Sequence, residues 1–588
     1  MSASEERGAL PSRPSSLYAC ALRVQHAEPE GPWSLADAAP PVPRPVPSNR
    51  ASRDFTRTRD ELARLLGPLL VAPDPVEAAE EAHRRLAALD PPVRHRTLRL
   101  LVAGLPVENE ERARALARAL VRTGVSYLAV CAGLALLSEL GEPEDVPYLR
   151  TLGVLRTLVR PVVHALDALD RPAAAVLDLR NRNGAPELRP LLAALDSGDR
   201  AAVRERVVAL PADVSPEVAR RVAEASGPAE LLTGVHDLPP EKGAELVAQA
   251  GRLLFRMTTL HDYQPEILFY PDAPRAYEEL ARGAGLLPPT PGHQALLLSA
   301  VQELRTGPVM LHDWAPGRRE AALSELTAVL NRPEWRAVPD QEGDGPGARR
   351  RLAWIRRTRA RLLRSPSPCA PPAPLRIEVH HRDPDDPATV EARILVDGRP
   401  LVPDYFGRGP ANPPEDLLDT GLLRATDEPH EVQLAEAFCT EGCCGALYVT
   451  VRRDGDQVVW SGWRCPVPPR GRRELPELRF DAAAYDAEVA RAESDDGWAW
   501  PARRAARLIV AGLRDRPDLL TRWHVRLGWT GTDFRDPDET VISLLYDSED
   551  GSPRQLLWRI PEDGTPPQDR AAAALARLAG EDPRTYGR

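Results

Sequence analysis

The sequence predicts a multidomain chain: an N-terminal all-α array of stacked helix pairs, then a C-terminal α+β domain built on an antiparallel sheet. Three observations carry this. From Phe55 to about Trp335, apolar residues recur at helical spacing and Pro or Gly interrupts them at short intervals. An internal repeat runs from Cys131 to Leu192. Beyond the prolines Pro371, Pro372 and Pro374, which no helix can cross, the apolar period shifts to strict alternation.

The chain has 588 residues, enough for several domains. Residues 1–50 mix Pro, Ser, Ala and charge and end in Pro40–Ser48, a run too polar to offset its ordering entropy; it reads as a disordered Pro-rich tail. Residues 51–338 read as the helical array. Leu62, Leu65, Leu66, Leu69 and Leu70 share one helical face, and Leu98, Leu100, Leu101 and Leu105 another. Further helices are expected over 215–226, 241–257, 274–285, 293–305 and 317–331. Residues 339–374 form a linker containing an Arg-rich helix, Ala348–Arg364.

The α+β domain spans 375–588. Strands are expected at 375–379, 392–396, 446–453, 457–463, 523–529, 540–546 and 554–560, and helices at 482–493, 501–514 and 569–578. Asp397-Gly398 and Asp454-Gly455 mark hairpin turns, where glycine supplies a positive φ.

The repeat has an offset of 43 residues. Ala132, Leu134, Leu136, Gly141, Pro143, Glu144, Pro147 and Leu149 fall on Ala175, Leu177, Leu179, Gly184, Pro186, Glu187, Pro190 and Leu192. The pattern is a helix ended by Gly, a turn with Pro, and a second helix. A period near 40–47 residues belongs to helix-pair solenoids. The segment 125–192 resembles HEAT repeats, with the flanking helices consistent with that family. The C-terminal part is similar to modules of uncharacterised bacterial HEAT-repeat proteins. That resemblance implies an α-solenoid whose extended surface binds another protein, a scaffold or adaptor with the C-terminal domain as a second recognition surface; the alternative is an enzyme or metal-dependent module centred on the C-terminal cysteines.

Composition bounds the partners. Formal charge is -10, with 76 basic and 86 acidic residues. That balance argues against a polyanionic partner for the whole chain. Lys242 is the single lysine, and arginine, proline and alanine abound, as GC-rich bacterial coding produces. Seven cysteines are too few for a disulfide framework and fit a reducing cytoplasm. The first ten residues lack a leader's apolar run, and no window is long and apolar enough to span a bilayer, so no membrane partner is expected.

Four cysteines form the sequence's candidate metal site. Cys439, Cys443 and Cys444 lie on a Gly-containing turn at the mouth of a hairpin, and Cys465 follows its second strand. Thiolates so placed could hold a structural zinc. The spacing is not that of paired zinc knuckles, and neighbouring residues on a strand face opposite ways, so buried structural thiols are the competing reading. No other cofactor is expected. His380-His381 opens an Asp-rich stretch read as a surface loop. His236-Asp237, His261-Asp262 and His312-Asp313 read as helix-end residues rather than catalytic pairs. No nucleophile elbow, phosphate-binding loop, dinucleotide fingerprint or zinc-protease helix occurs, so no catalytic residue is assigned.

Eight arginines and Trp354 on 348–364 raise a nucleic-acid alternative. The array lacks the positive excess such a groove needs, and arginine stems serve equally to cover a neighbouring helix. Of the remaining tryptophans, Trp460 and Trp463 are expected on opposite strand faces, one in the core and one outside. Trp498 and Trp500 are expected in packing.

Overall fold

The computed structural model describes residues 15–27, 55–89, 95–182, 186–259, 265–364, 373–384, 390–437, 445–465, 475–533, 536–548 and 551–586. The chain forms two compact units, Met1–Leu231 and Leu232–Arg588. This division follows packing, whereas the boundary near residue 370 follows composition.

The first unit is helical: α1 Leu17–Ala27, α2 Phe55–Leu70, α3 Pro75–Ala87, α4 His95–Ala103, α5 Glu110–Thr123, α6 Tyr127–Leu140, α7 Val146–Leu152, α8 Val159–Leu169, α9 Arg171–Asn181, α10 Arg189–Ser197, α11 Arg200–Val208 and α12 Pro216–Ser226. Side chains of Asp74, Asn109, Ser126, Asp170, Asp199 and Ser215 cap α3, α5, α6, α9, α11 and α12. Each cap satisfies amides that the first turn leaves open, worth about 1 kcal/mol. Helix α1 departs from the disordered tail expected for 1–50. Leu17, Cys20 and Ala21 are buried, the Leu17 amide donates to Gly124 O (2.8 Å), and Tyr18 meets Tyr148. Three apolar contacts and a docked first turn suffice to order a short helix whose composition alone does not mark it.

The repeated segment has matching local structure. Helix α6 leads through a 3-10 turn, Pro143–Asp145, into α7; α9 leads through Pro186–Leu188 into α10. The turns and the second helices both start 43 residues apart (186 minus 143, 189 minus 146). The first turn is pinned by buried Arg118, which donates to Asp145 (2.9 and 3.1 Å) and Glu142 (2.7 Å). In the second, buried Leu188 takes the place of Asp145. Gly133 lets α6 close on α5: a Cβ there would stand 2.9 Å from Ala117 O and from Leu120 Cβ. Helices α4, α6, α8, α9 and α12 are successive packing neighbours.

The second unit begins with α13 Pro240–Met257, α14 Ala273–Gly283, α15 Pro291–Thr306, α16 Arg318–Leu330 and α17 Pro346–Arg364. Three antiparallel sheets follow. The first holds β1 Leu375–His381, β2 Val390–Val396 and β3 Arg399–Pro400 in that order. The second holds β4 His430–Glu436, β5 Ala446–Asp454, β6 Gln457–Arg464 and β7 Leu478–Asp481, also in order. The third, with β8 Val525–Thr532, β9 Glu539–Asp547 and β10 Pro553–Pro561, places β9 centrally. Helix α18 Ala482–Glu493 packs on β1, and α19 Pro501–Asp515 packs on α20 Pro567–Gly580, β8 and β9. Asp397 (φ 48°) and Gly398 (φ 75°) form the tight β2–β3 turn, and Gly455 (φ 64°) turns β5 into β6.

Two expectations about this unit fail. His380 and His381 are not on a surface loop: β1 runs through both, and they are 3% and 5% exposed. His381 stacks on Trp500 (4.6 Å) and its carbonyl accepts from Trp354 Nε1 (3.0 Å), which the Asp-rich residues beyond it do not foretell. Trp460 is buried as expected, but Trp463 meets it edge-on at 6.1 Å. Pairing of β5 with β6 slips between Tyr448 and Thr450, and Gly462 takes φ 58°, so strict alternation is lost between the two rings.

On α17, Arg350 pairs with Asp536 and Asp538, Arg351 with Asp383, and Arg361 with Asp495 and Glu378. Arg356 and Arg359 donate to the Pro339 and Leu330 carbonyls, and Trp354 is fully buried. Among the described residues, no helix is long and apolar enough to cross a membrane.

Candidate functional site

The first unit carries a cleft of about 500 Å³ lined from α4, α6, α8, α9 and α12. That volume suits a ligand or an inserted side chain. Its apolar floor is Leu134 and Ala135 of α6 with Pro161 and Val163 of α8. Its walls are charged, and helical spacing puts them there. Asp178 and Arg182 stand four apart around the end of α9; Glu217 and Arg221 stand four apart on α12.

The wall charges pair closely. Buried Arg221 grips Asp167 of α8 with two bonds (2.5 and 3.0 Å) and donates to Glu224 (2.9 Å). Arg182 bridges Asp178 (2.9 Å) and Glu217 (2.8 Å). Glu224 also accepts from Arg220 (2.8 and 3.1 Å) and lies 3.7 Å from Arg171. Four carboxylates thus meet four guanidiniums. Burial pushes the Glu217 carboxyl up, but Arg182's hydrogen bond and charge more than offset it and hold it below its ordinary value.

Beyond that network the cleft presents Arg99, Arg160 and His164. Arg160 is exposed at the rim and has no ion pair or hydrogen bond to any described residue. Burial, then the positive charges of Arg99 and Arg221, pull His164 down to about 4 despite Asp167 nearby, so its ring is neutral at pH 7. The buried Asn181 Oδ1 has no hydrogen-bond partner. Cys131 is also part of the lining, its thiol pushed up to about 12 by burial, which makes it no nucleophile.

The sequence-derived site residues are placed otherwise. Cys439, Cys443 and Cys444 lie outside the described residues. Cys465 is half-buried just beyond β6, against the core around Trp460. Among the described residues, no group of three or more His, Cys, Asp or Glu is placed to hold a metal ion. His236-Asp237 lies in a 3-10 turn, and a ring nitrogen of His312 donates to the Ile267 carbonyl (2.9 Å), a structural contact; His261-Asp262 lies outside the described residues. The cleft residues were not singled out from sequence, where the recurrent four-residue spacing of opposite charges was the available signal.

Comparisons with protein-family models, curated proteins and solved structures found no match to this chain.

Proposed function

We propose that this protein is a non-catalytic protein–protein interaction scaffold or adaptor, and that the helix pairs of residues 125–192 are HEAT-like units. The supporting observation is the recurrence of helix, 3-10 turn and helix at one 43-residue offset, with α6 and α9, the first helices of both segments, contributing to one cleft. Arrays of such pairs leave one set of helices lining a continuous face, on which a partner can lie. The cleft suits recognition better than catalysis. Its carboxylates are neutralised by arginine, its thiol is protonated, and its histidine has no orienting carboxylate bond.

Site-specific photo-crosslinking in the native host tests this. A benzophenone side chain replacing Arg160 is expected to capture a discrete partner, whereas the same group at exposed Arg200 of α11 is not. Equal capture from both positions, or none from Arg160, overturns the proposal.

A further inference from the structure

We infer that a cleft between α19 and β8 takes a basic side chain from an extended segment of a protein partner, held by the Asp416 carboxylate and the face of Trp529. The site lies wholly within the second unit, so it stands or falls apart from capture at residue 160. The cleft has a volume of about 440 Å³, a size that admits a long side chain. Leu508, Val510 and Ala511 of α19 with Leu527 of β8 give it apolar surface for an aliphatic stem. Asp416, on the helical turn Pro414–Leu417, and Trp529 of β8 line it too.

The other charges of the lining are already bonded within the protein. Glu415 is gripped through both oxygens by Arg503 (2.6 and 2.9 Å), and Asp419 through both by Arg507 (2.8 and 2.7 Å). Asp496 meets Arg507 (3.0 Å) and Arg504 (3.3 Å), and Arg514 donates to the Asp419 carbonyl (2.7 Å). Asp416 differs: its carboxylate has no ion pair or hydrogen bond to any described residue. Partial loss of water, then the charge of Glu415, holds that carboxyl above its ordinary value, and a cation beside it would favour the ionised form.

Trp529 is 47% exposed and has no hydrogen bond, ring contact or cation contact with any described residue. Neighbouring tryptophans of the same unit are covered by guanidiniums: Arg503 lies over Trp498 and Trp500, Arg507 over Trp498, and Arg577 over Trp558. Trp529 offers the same kind of face, and a cation is what such a face attracts. Its exposure comes from a bulge. Pairing of β8 with β9 passes from Leu527–Leu544 to Thr530–Ile542, so Gly528 and Trp529 stand against Ser543 alone, an arrangement that re-aims a side chain. Within its sheet β8 is an edge strand, bonded to β9 alone. An extended segment can therefore run beside it while one side chain turns into the cleft. An acidic side chain would meet Asp416 with like charge.

The test uses the full chain and fluorescein-labelled octapeptides alternating Arg-Ser, citrulline-Ser and Glu-Ser, followed by anisotropy at low and high salt. The arginine peptide is expected to bind, to weaken as salt rises, and to be favoured over both others. Asp416→Asn is expected to weaken it about tenfold, the scale of one charge-assisted contact. Trp529→Leu is expected to weaken it about threefold, with Trp529→Phe recovering part of that loss. Glu334→Gln removes an exposed negative charge of the same unit outside the cleft and is expected to change nothing. Asp416 has no side-chain bond to lose and Trp529 is exposed, so these variants keep the fold, which circular dichroism checks. Arginine and citrulline peptides binding alike, a preference for the glutamate peptide, or Asp416→Asn behaving like Glu334→Gln overturns the inference. Spermidine displacing the arginine peptide as well as unlabelled peptide does would mark a site for small polyamines, and would equally overturn the assignment to a protein segment.

Discussion

The two units bury charge in different ways. In the first, the paired charges Asp167, Asp178, Arg182, Glu217 and Arg221 border a cleft of about 500 Å³ that opens to solvent. In the second, Glu303 of α15 is 1% exposed and meets Arg393 of β2 (3.1 Å) and His380 of β1 (3.5 Å), while Arg393 also meets Glu391 (3.3 Å). Arg382 closes this cluster by donating to Phe255 O and to Thr258 and Thr259, with its guanidinium over the Phe255 ring. The spaces beside it are about 30 Å³ each, room for little more than a water molecule. Similar residues thus serve two ends. Where paired charge borders an opening it shapes the wall of a cleft, and where it is sealed it fixes how helices meet a sheet.

That contrast is sharpest in what happens when one partner is removed. Arg393→Leu would strand Glu303 and Glu391 in the interior and cost about 3–5 kcal/mol. Urea unfolding followed by tryptophan fluorescence reads this directly, because every tryptophan except Trp33 belongs to the second unit. A loss below about 1 kcal/mol would mean that the cluster does not hold this unit together. Arg221→Leu should cost less, about 1–3 kcal/mol, because Arg171 and Arg220 still neutralise Glu224 and water can reach Asp167. Hydrogen exchange of α8 and α12 is the measurement, and protection falling as far as for Arg393→Leu would erase the distinction.

Acid separates the units more gently. Burial, then neighbouring arginines, holds His380 and His381 well below their ordinary 6.5; burial, then Arg99, holds His164 near 4. Each histidine is neutral when folded and gains a proton on unfolding below about pH 6.5. Stability is therefore fully present above that pH and falls as pH drops, by at most about 1.4 kcal/mol per pH unit for each ring. His380→Gln should flatten the slope of the tryptophan-reported transition between pH 6.5 and about pH 5 without altering that of the first unit. An unchanged slope would contradict the sealed, neutral ring. The smallest effect is expected for Arg160→Gln, within about 0.5 kcal/mol of the parent stability, since this side chain has no partner to lose.

Much of the architecture was legible from the residues. The helices over 216–226, 240–257 and 482–493 and the hairpin of β5 and β6 fall within a residue or so of the periods that announce them. Local signals suffice there, because Pro or Asp opens the helices and Gly turns the hairpin. What escaped depends on distant partners. Helix α1 exists through Gly124 and Tyr148, and β1 continues through His381 because Trp354 and Trp500 enclose it. The cleft escaped for a related reason: Asp167 and Arg221 are 54 residues apart, and each alone resembles any solvated helix charge.

Gly133 has a consequence for the two 43-residue-spaced segments. The position corresponding to it is Val176, whose branched side chain could not stand where even one added carbon meets the Ala117 carbonyl. The segments are alike in outline but are not spare parts for one another. Each is fitted to the helix beneath it, and a chain rebuilt from two copies of either would have to open that seam first.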